Sequence, residues 1–308
     1  MSVAEHFEQR AQPRVRLAPM TWYGLGGCAE WFAEPADAEA LAALIRICRD
    51  TRTPCRMLGL GANLLVADDG VDGVVVRLKS PAFRRVEWPE PTDEPMVFAG
   101  AGADMSRLVL DATRRGLAGI ECMGGIPGTL GGIVRMNAGG RFGSICEVVQ
   151  SVTVIDTDGE LRTLSADEVG FEYRRTKLDG MIVCGASLSM RRDDPQQLRD
   201  RCMEIWDYKK KSQPMAEHSA GCVFKNPPNG SAGALIDQAG LKGRSVGGAR
   251  VSTRHANFIV AQEGATAADV MMLISAVRRE VAQRTGIELE LEIQTWGRQP
   301  ARQPEPVA

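Results

Sequence analysis

Apolar residues recur at helical spacing over residues 36–49 (ADAEALAALIRICR), bracketed by Pro35 and Pro54, and predict an amphipathic helix. Three short apolar runs follow, RMLGLG at 56–61, GVVVRL at 73–78 and VFAGAG at 97–102, and their Gly and Asp borders mark them as buried strands. DMSRLVLDATRRG at 104–116 returns to the helical period, with Asp104 placed to cap the helix and Gly116 to end it. Glycine then stands at 116, 119, 124, 125, 128, 131, 132, 139, 140 and 143, a density that argues against any helix or strand interior there.

From residue 148 the pattern alternates. VVQSVTVID, the turn TDG and ELRTL predict a hairpin, MIVCGASLSM another strand, and PQQLRDRCMEIWDYKKK at 195–211 a polar helix. SQPMAEHSAG reads as a linker into a last region from about 215 to 297. The chain start, ahead of the 36–49 helix, is polar, and in the last region ATAADVMMLISAVRREVAQRTG at 265–286 predicts a long helix before IELELEI at 287–293. The strict alternation of that last segment predicts a strand with Glu288, Glu290 and Glu292 on one face, and periodicity cannot rank the three.

Composition changes this picture in two places. A length of 308 residues suggests two domains, or three if they are small, and a net charge of −2 gives no general attraction for nucleic acid or an anionic membrane. Eight cysteines are scattered without a pairing pattern and without CxxC, and three histidines form no HExxH, so free thiols and no metal are expected. The charged start MSVAEHFEQRAQPRVRL lacks a signal-peptide core, and no apolar stretch has membrane-spanning length, which points to the cytoplasm.

The glycines carry the candidate chemistry. Gly24, Gly26 and Ala29 match G-x-G-x-x-A, but LAPMTWY before them is no buried strand and Pro35 follows closely, so a turn of close backbone approach is the better reading. GLGANLL at 59–65 and GGIPGTLGG at 124–132, continuing into MNAGG, are different. Consecutive backbone N–H groups without Cβ atoms can converge on an anionic oxygen, so two such loops suggest one extended anionic ligand; ordinary tight turns would explain them equally well.

Together with FEYRR (171–175), SAGCVFKNP (219–227), GALIDQAGLKGRSVGGARVS (233–252) and HANFIV (255–260), these segments resemble the UDP-N-acetylenolpyruvoylglucosamine reductase family, in order and over nearly the whole chain. The resemblance implies an α+β protein: a two-part FAD-binding domain of the vanillyl-alcohol oxidase/PCMH type plus a C-terminal α+β substrate-binding domain. Applied to this chain it gives an N-terminal extension (1–20), two FAD subdomains (21–80 and 81–212), the substrate domain (213–298) and a tail (299–308). It implies non-covalent FAD, NADPH as co-substrate, and a cytoplasmic monomer that reduces UDP-N-acetylglucosamine enolpyruvate to UDP-N-acetylmuramate for peptidoglycan. Alternatives of other classes are a flavin oxidase of the same fold and a flavin- or nucleotide-binding protein without the reductase chemistry.

The resemblance also implies site residues. FAD contacts fall on Gly59, Gly61, Ala62, Asn63 and Leu64, then on Gly125, Ile126, Pro127, Gly128, Gly132, Asn137 and Gly139. Ala62 stands where Ser is common, which removes one side-chain hydrogen bond and leaves the backbone ones. Hydride is expected to pass from flavin N5 to the enolpyruvyl methylene, with Arg174 on the substrate carboxylate, Glu292 assisting the enolate, and Cys222 as proton donor in place of a common Ser. A thiol of reference pKa about 8.5 is mostly protonated at neutral pH, suits that task and is sensitive to oxidation. Tyr173, Lys225 and Asn226 are expected at the nucleotide substrate. Lys209, Lys210 and Lys211 are weaker candidates, because a lysine run at a helix C-terminus commonly serves the helix dipole.

Overall fold

The computed structural model describes residues 3–228 and 230–297, so the expected tail at 299–308 and residue 298 lie outside the described residues. Four strands form the first sheet in the order Gln12–Arg16, Cys28–Ala33, Val71–Val76 and Cys55–Met57. The first pair is antiparallel and the other two are parallel. The predicted helix spans Ala38–Asp50, and the Asp37 side chain accepts from the Ala40 N–H at 2.9 Å. Its Leu41, Leu44, Ile45 and Cys48 recur every three or four residues and pack on Trp31, Ala33, Val74 and Val76 of the sheet. The polar chain start holds two elements the pattern missed, the helix Val3–Phe7 and the strand Gln12–Arg16, and Phe7 is fully buried beside Trp31.

The second sheet is antiparallel, in the order Leu161–Ser165, Val149–Ile155, Ile182–Ser189, Met96–Gly100 and Val86–Glu87. The predicted hairpin is its first pair, with Thr153 opposite Thr163. Helix Met105–Arg114 takes its cap from Asp104, ends before Gly116 at φ +66°, and packs in one core with the sheet. The glycine-dense stretch corrects the expectation of no helix, because Leu130–Arg135 is helical and contains Gly131 and Gly132. A Cβ on Gly131 would sit 2.9 Å from the Ala101 Cβ. Close approach to the strand end therefore outweighs the helix propensity that glycine forfeits.

A third unit pairs Ser245–Val246, Ala249–Val251 and Ile259–Ala261, and helices Ala232–Gln238 and Ala267–Thr285 share its core. Thr266 and Asp269 form a capping box on the long helix, and Gly286 ends it in the left-handed region. The expected strand 287–293 is not one. Leu289 and Ile293 are buried, but pairing is confined to a bridge between Leu291 and Phe224 and neighbouring backbone bonds, and the regular strand is Gln294–Trp296. That strand runs parallel to Leu64–Val66, far away in sequence. The GLGG turn is one of close approach, as expected, since a Cβ on Gly27 would lie 2.5 Å from the Gly70 nitrogen.

Asp68, just past Leu64–Val66, ties the third unit down a second time. Its two oxygens accept from the N–H groups of Ala267 and Ala268 at 2.9 and 3.0 Å, at the positive end of the long helix. Asp68→Ala is expected to cost about 1–2 kcal/mol and to lower the thermal midpoint by about 2–4 °C, with Asp68→Asn intermediate. An unchanged melting curve would show that the long helix does not depend on this cap.

Candidate active site

A cleft of about 1370 Å³ runs between the two sheets and the third unit. Pockets for a single small ligand are commonly about 300–1,000 Å³, so this one has room for a dinucleotide and a second ligand together. Among the residues expected at a cofactor, Gly59, Gly61, Ala62, Asn63, Leu64, Gly125, Ile126, Pro127, Gly128, Gly132 and Gly139 line it. Asn137 is not among the lining residues. It is buried with φ +40°, and its side chain donates to the Glu172 carbonyl at 2.9 Å and accepts from the Cys146 N–H at 3.4 Å.

The two loops have the geometry of an anion cradle. Among the described residues, the N–H groups of residues 59–63 and of Gly125 and Gly128 donate to no backbone carbonyl. Gly61 and Gly125 hold φ +64° and +68°, where a side chain would be strained. A Cβ on Gly59 would lie 2.9 Å from Thr129 Oγ1, so the loops touch across the cleft. Unpaired amides from two touching loops fit the pyrophosphate of FAD.

Arg174 sits at the third position of a tight turn closed by Glu172 and Arg175, with φ +56°. Glycine ordinarily occupies that position, and an arginine there costs about 1–2 kcal/mol. The turn aims the guanidinium inward, where its side chain is only 14% exposed. Nε donates to Glu292 Oε1 at 2.6 Å, Nη2 to the Gly139 carbonyl at 2.6 Å and Nη1 to the Asn137 carbonyl at 3.4 Å. The planar fork also lies over the Tyr173 ring, 5.0 Å from its centre.

Glu292 reaches this point because its backbone is held on both sides. Its N–H donates to the Val223 carbonyl at 2.8 Å, and its carbonyl accepts from Asn63 Nδ2 at 3.2 Å. Among the three glutamates, Glu288 and Glu290 are exposed, and Glu292 alone turns into the cleft. Cys222 precedes Val223 in the same ladder and lines the cleft half-buried. Loss of solvent and then the Glu292 carboxylate push its thiol up to about 12, with Arg174 pulling the other way. The proton is therefore held throughout the neutral range. The same shift keeps the thiolate scarce, so Cys222 is less open to oxidation than a reference thiol.

Tyr173 and Asn226 line the cleft, and the Asn226 N–H donates to the Tyr173 hydroxyl at 3.3 Å. Lys225 is not a lining residue; its ammonium pairs with Glu290 at 2.5 Å. Of the lysine run only Lys209 reaches the cleft.

Asn257, His255 and Gln294 line the cleft as well, without a role assigned from sequence. Asn257 is 3% exposed, and its amide both accepts from the Phe224 N–H at 2.9 Å and donates to the Phe224 carbonyl at 2.8 Å, which holds the Cys222 segment in place. A polar residue inside the apolar run ANFIV was its one signal. His255 is held below the usual imidazole range by burial and then by Lys242. Gln294 follows Glu292 by two residues, and its backbone N–H donates to the Asn63 carbonyl at 2.9 Å.

Similarity to known proteins covers both parts of this arrangement. Residues 213–296 match the family described as UDP-N-acetylenolpyruvoylglucosamine reductase, C-terminal domain, and residues 29–165 match the family described as FAD binding domain. The UDP-N-acetylenolpyruvoylglucosamine reductase of Heliobacterium modesticaldum is 44% identical over 96% of this chain and 93% of its own length. Reductase 2 of Symbiobacterium thermophilum is 41% identical over 95% of this chain and 93% of its own. The crystal structure of the reductase from Thermus caldophilus superposes with a TM-score of 0.80 at 38% identity, covering 93% of this chain and 99% of that one.

Proposed function

We propose a reaction for this chain from one premise: it belongs to the UDP-N-acetylenolpyruvoylglucosamine reductase family. It is an FAD-dependent oxidoreductase that uses NADPH to reduce UDP-N-acetylglucosamine enolpyruvate to UDP-N-acetylmuramate in peptidoglycan synthesis. FAD, when bound, relays the hydride of NADPH to the enolpyruvyl methylene. The amides of residues 59–63, Gly125 and Gly128 would hold its pyrophosphate.

Arg174 presents its fork to the substrate carboxylate. Nη1 and Nη2 rest on backbone carbonyls, and a carboxylate is the stronger acceptor for them. As hydride adds at the methylene, the electron pair passes to the neighbouring carbon and spreads into that carboxylate. Arg174 stabilises this charge where it develops, which is how an enzyme favours the transition state over the ground state. Glu292 orients the guanidinium through the 2.6 Å pair and assists protonation. Cys222 Sγ gives its proton to the carbon, and solvent returns one to the thiolate. Tyr173 and Asn226 contact the nucleotide portion of the substrate, while Lys225, paired with Glu290 outside the cleft lining, does not.

The observation that carries this reading is the Arg174–Glu292 pair beside Cys222, assembled from three separate segments in the cleft. We place the enzyme in the cytoplasm as a monomer; the eight free cysteines bear on the compartment alone, fitting a reducing one. The test is anaerobic: NADPH should bleach the yellow protein, and the enolpyruvyl substrate should restore its colour with formation of UDP-N-acetylmuramate. A protein that bleaches but regains colour only with oxygen is an oxidase, and the proposal fails.

A further inference from the structure

Lys209 lies in the last turn of the helix Pro195–Ser212, where a lysine would ordinarily extend into solvent. Instead it is 7% exposed and lines the cleft. Its Nζ donates to the Gly124 carbonyl at 2.5 Å, at the start of the second glycine loop. The loop is seated on this side chain: a Cβ on Gly125 would lie 3.0 Å from the Lys209 Cδ and 3.3 Å from the Trp206 ring. Among the described residues the ammonium has no carboxylate within ion-pair distance, although all three of its donors need acceptors. Nearby carboxylates are engaged elsewhere. Glu121 accepts from the Gly119 N–H and pairs with Arg201, and Glu147 closes a capping box with Ser144.

A buried, unpaired ammonium is costly, and such charges are ordinarily neutralised by a partner. Loss of solvent pulls Lys209 down to about 8, a shift that an anionic partner would reverse. The free amides of Gly125 and Gly128 stand in the same loop. We propose that Lys209 is the cationic half of a phosphate site whose other half is the backbone of the 124–128 loop, and that its partner is the pyrophosphate of a ligand in the cleft. The inference rests on the cofactor reading above. FAD and the uridine diphosphate of the substrate share this chemistry, and the loop's place in the cofactor cradle favours FAD.

The test compares holoproteins of wild type, Lys209→Arg, Lys209→Gln and Lys209→Met. FAD release is followed by the rise of flavin fluorescence over a salt series, and UDP binding by perturbation of flavin absorbance. FAD release is expected to rise about tenfold to a hundredfold in Lys209→Met and Lys209→Gln, the worth of a charge-assisted hydrogen bond, and much less in Lys209→Arg. Salt should speed release from wild type and Lys209→Arg only. Glutamine still offers an N–H to the Gly124 carbonyl, so loss of FAD retention and UDP affinity in Lys209→Met with both kept normal in Lys209→Gln would reduce Lys209 to a loop tether and overturn the proposal. Unchanged FAD release with UDP affinity reduced to the same extent would keep the phosphate site and assign it to the substrate. If neither ligand responds, there is no such site. Protein that takes up no FAD even as wild type would fail the cofactor reading instead.

Discussion

In Cys222→Ala, flavin bleached by NADPH is expected to recover its colour with the enolpyruvyl substrate about 100- to 10,000-fold more slowly, while bleaching itself proceeds within a few-fold of the wild-type rate. The asymmetry follows from the role. Only the second half-reaction leaves a carbanion that needs a proton, and only Cys222 combines a held proton with a place beside Arg174 and Glu292. Alanine is smaller, so general misfolding is no explanation if bleaching survives. Cys222→Ser should restore most of the rate, because a hydroxyl supplies the same proton in nearly the same volume. Stopped-flow absorbance of the two half-reactions measures this directly. Equal recovery in Cys222→Ala and wild type would sink the assignment and move the acid to Glu292 or to water.

Arg174→Lys is expected to slow the same half-reaction by about 100- to 1,000-fold, the usual penalty for removing a donor aimed at developing charge. The conservative exchange is the informative one. A single ammonium keeps the positive charge, yet it cannot serve Glu292, Gly139 and Asn137 at the distances the fork now spans, nor take a carboxylate side-on. If charge alone mattered, Lys would suffice and the rate would stay within a few-fold of wild type. The structure also carries a sign of what the position is for. An L-residue at φ +56° in a four-residue turn is strained, and a glycine would relax it. Persistence of an arginine there is accounted for by the three bonds its side chain makes inside the cleft.

The first prediction tests a proton and the second an electrostatic hold, so their pH behaviour should differ. Cys222 stays protonated until well above neutrality, and loss of its proton would slow recovery only as pH rises toward about 12. The stability argument has the same sign. A thiol whose pKa is raised by folding contributes stability below its unfolded value and loses it as pH climbs through the folded one.

Local pattern was enough for the elements whose stability is local. The helices at Ala38–Asp50, Met105–Arg114 and Ala267–Thr285 follow from apolar spacing and from the caps Asp37, Asp104 and Thr266, all of which are short-range. Two kinds of feature escaped it. The helix Leu130–Arg135 exists because Gly131 meets Ala101, and the alternating 287–293 segment pairs only over residues 290–293, because its partner is the short stretch 223–225. Sequence spacing carries no information about such a partner, so propensity and periodicity were overruled by tertiary contact.

The residue types of the site, its two glycine loops and the family they resemble were determined by the sequence itself, since turns, missing Cβ atoms and motif order are properties of the chain. Only the tertiary structure decided which glutamate enters, that Arg174 meets it across 118 residues, and that Asn63 holds its backbone across 229. It also separated Lys209, buried and without a carboxylate, from Lys210 and Lys211, which do not line the cleft. The physical reason is common to all four. Burial, desolvation and ion pairing depend on what the rest of the chain places around a side chain, and a linear pattern of types leaves that environment unspecified.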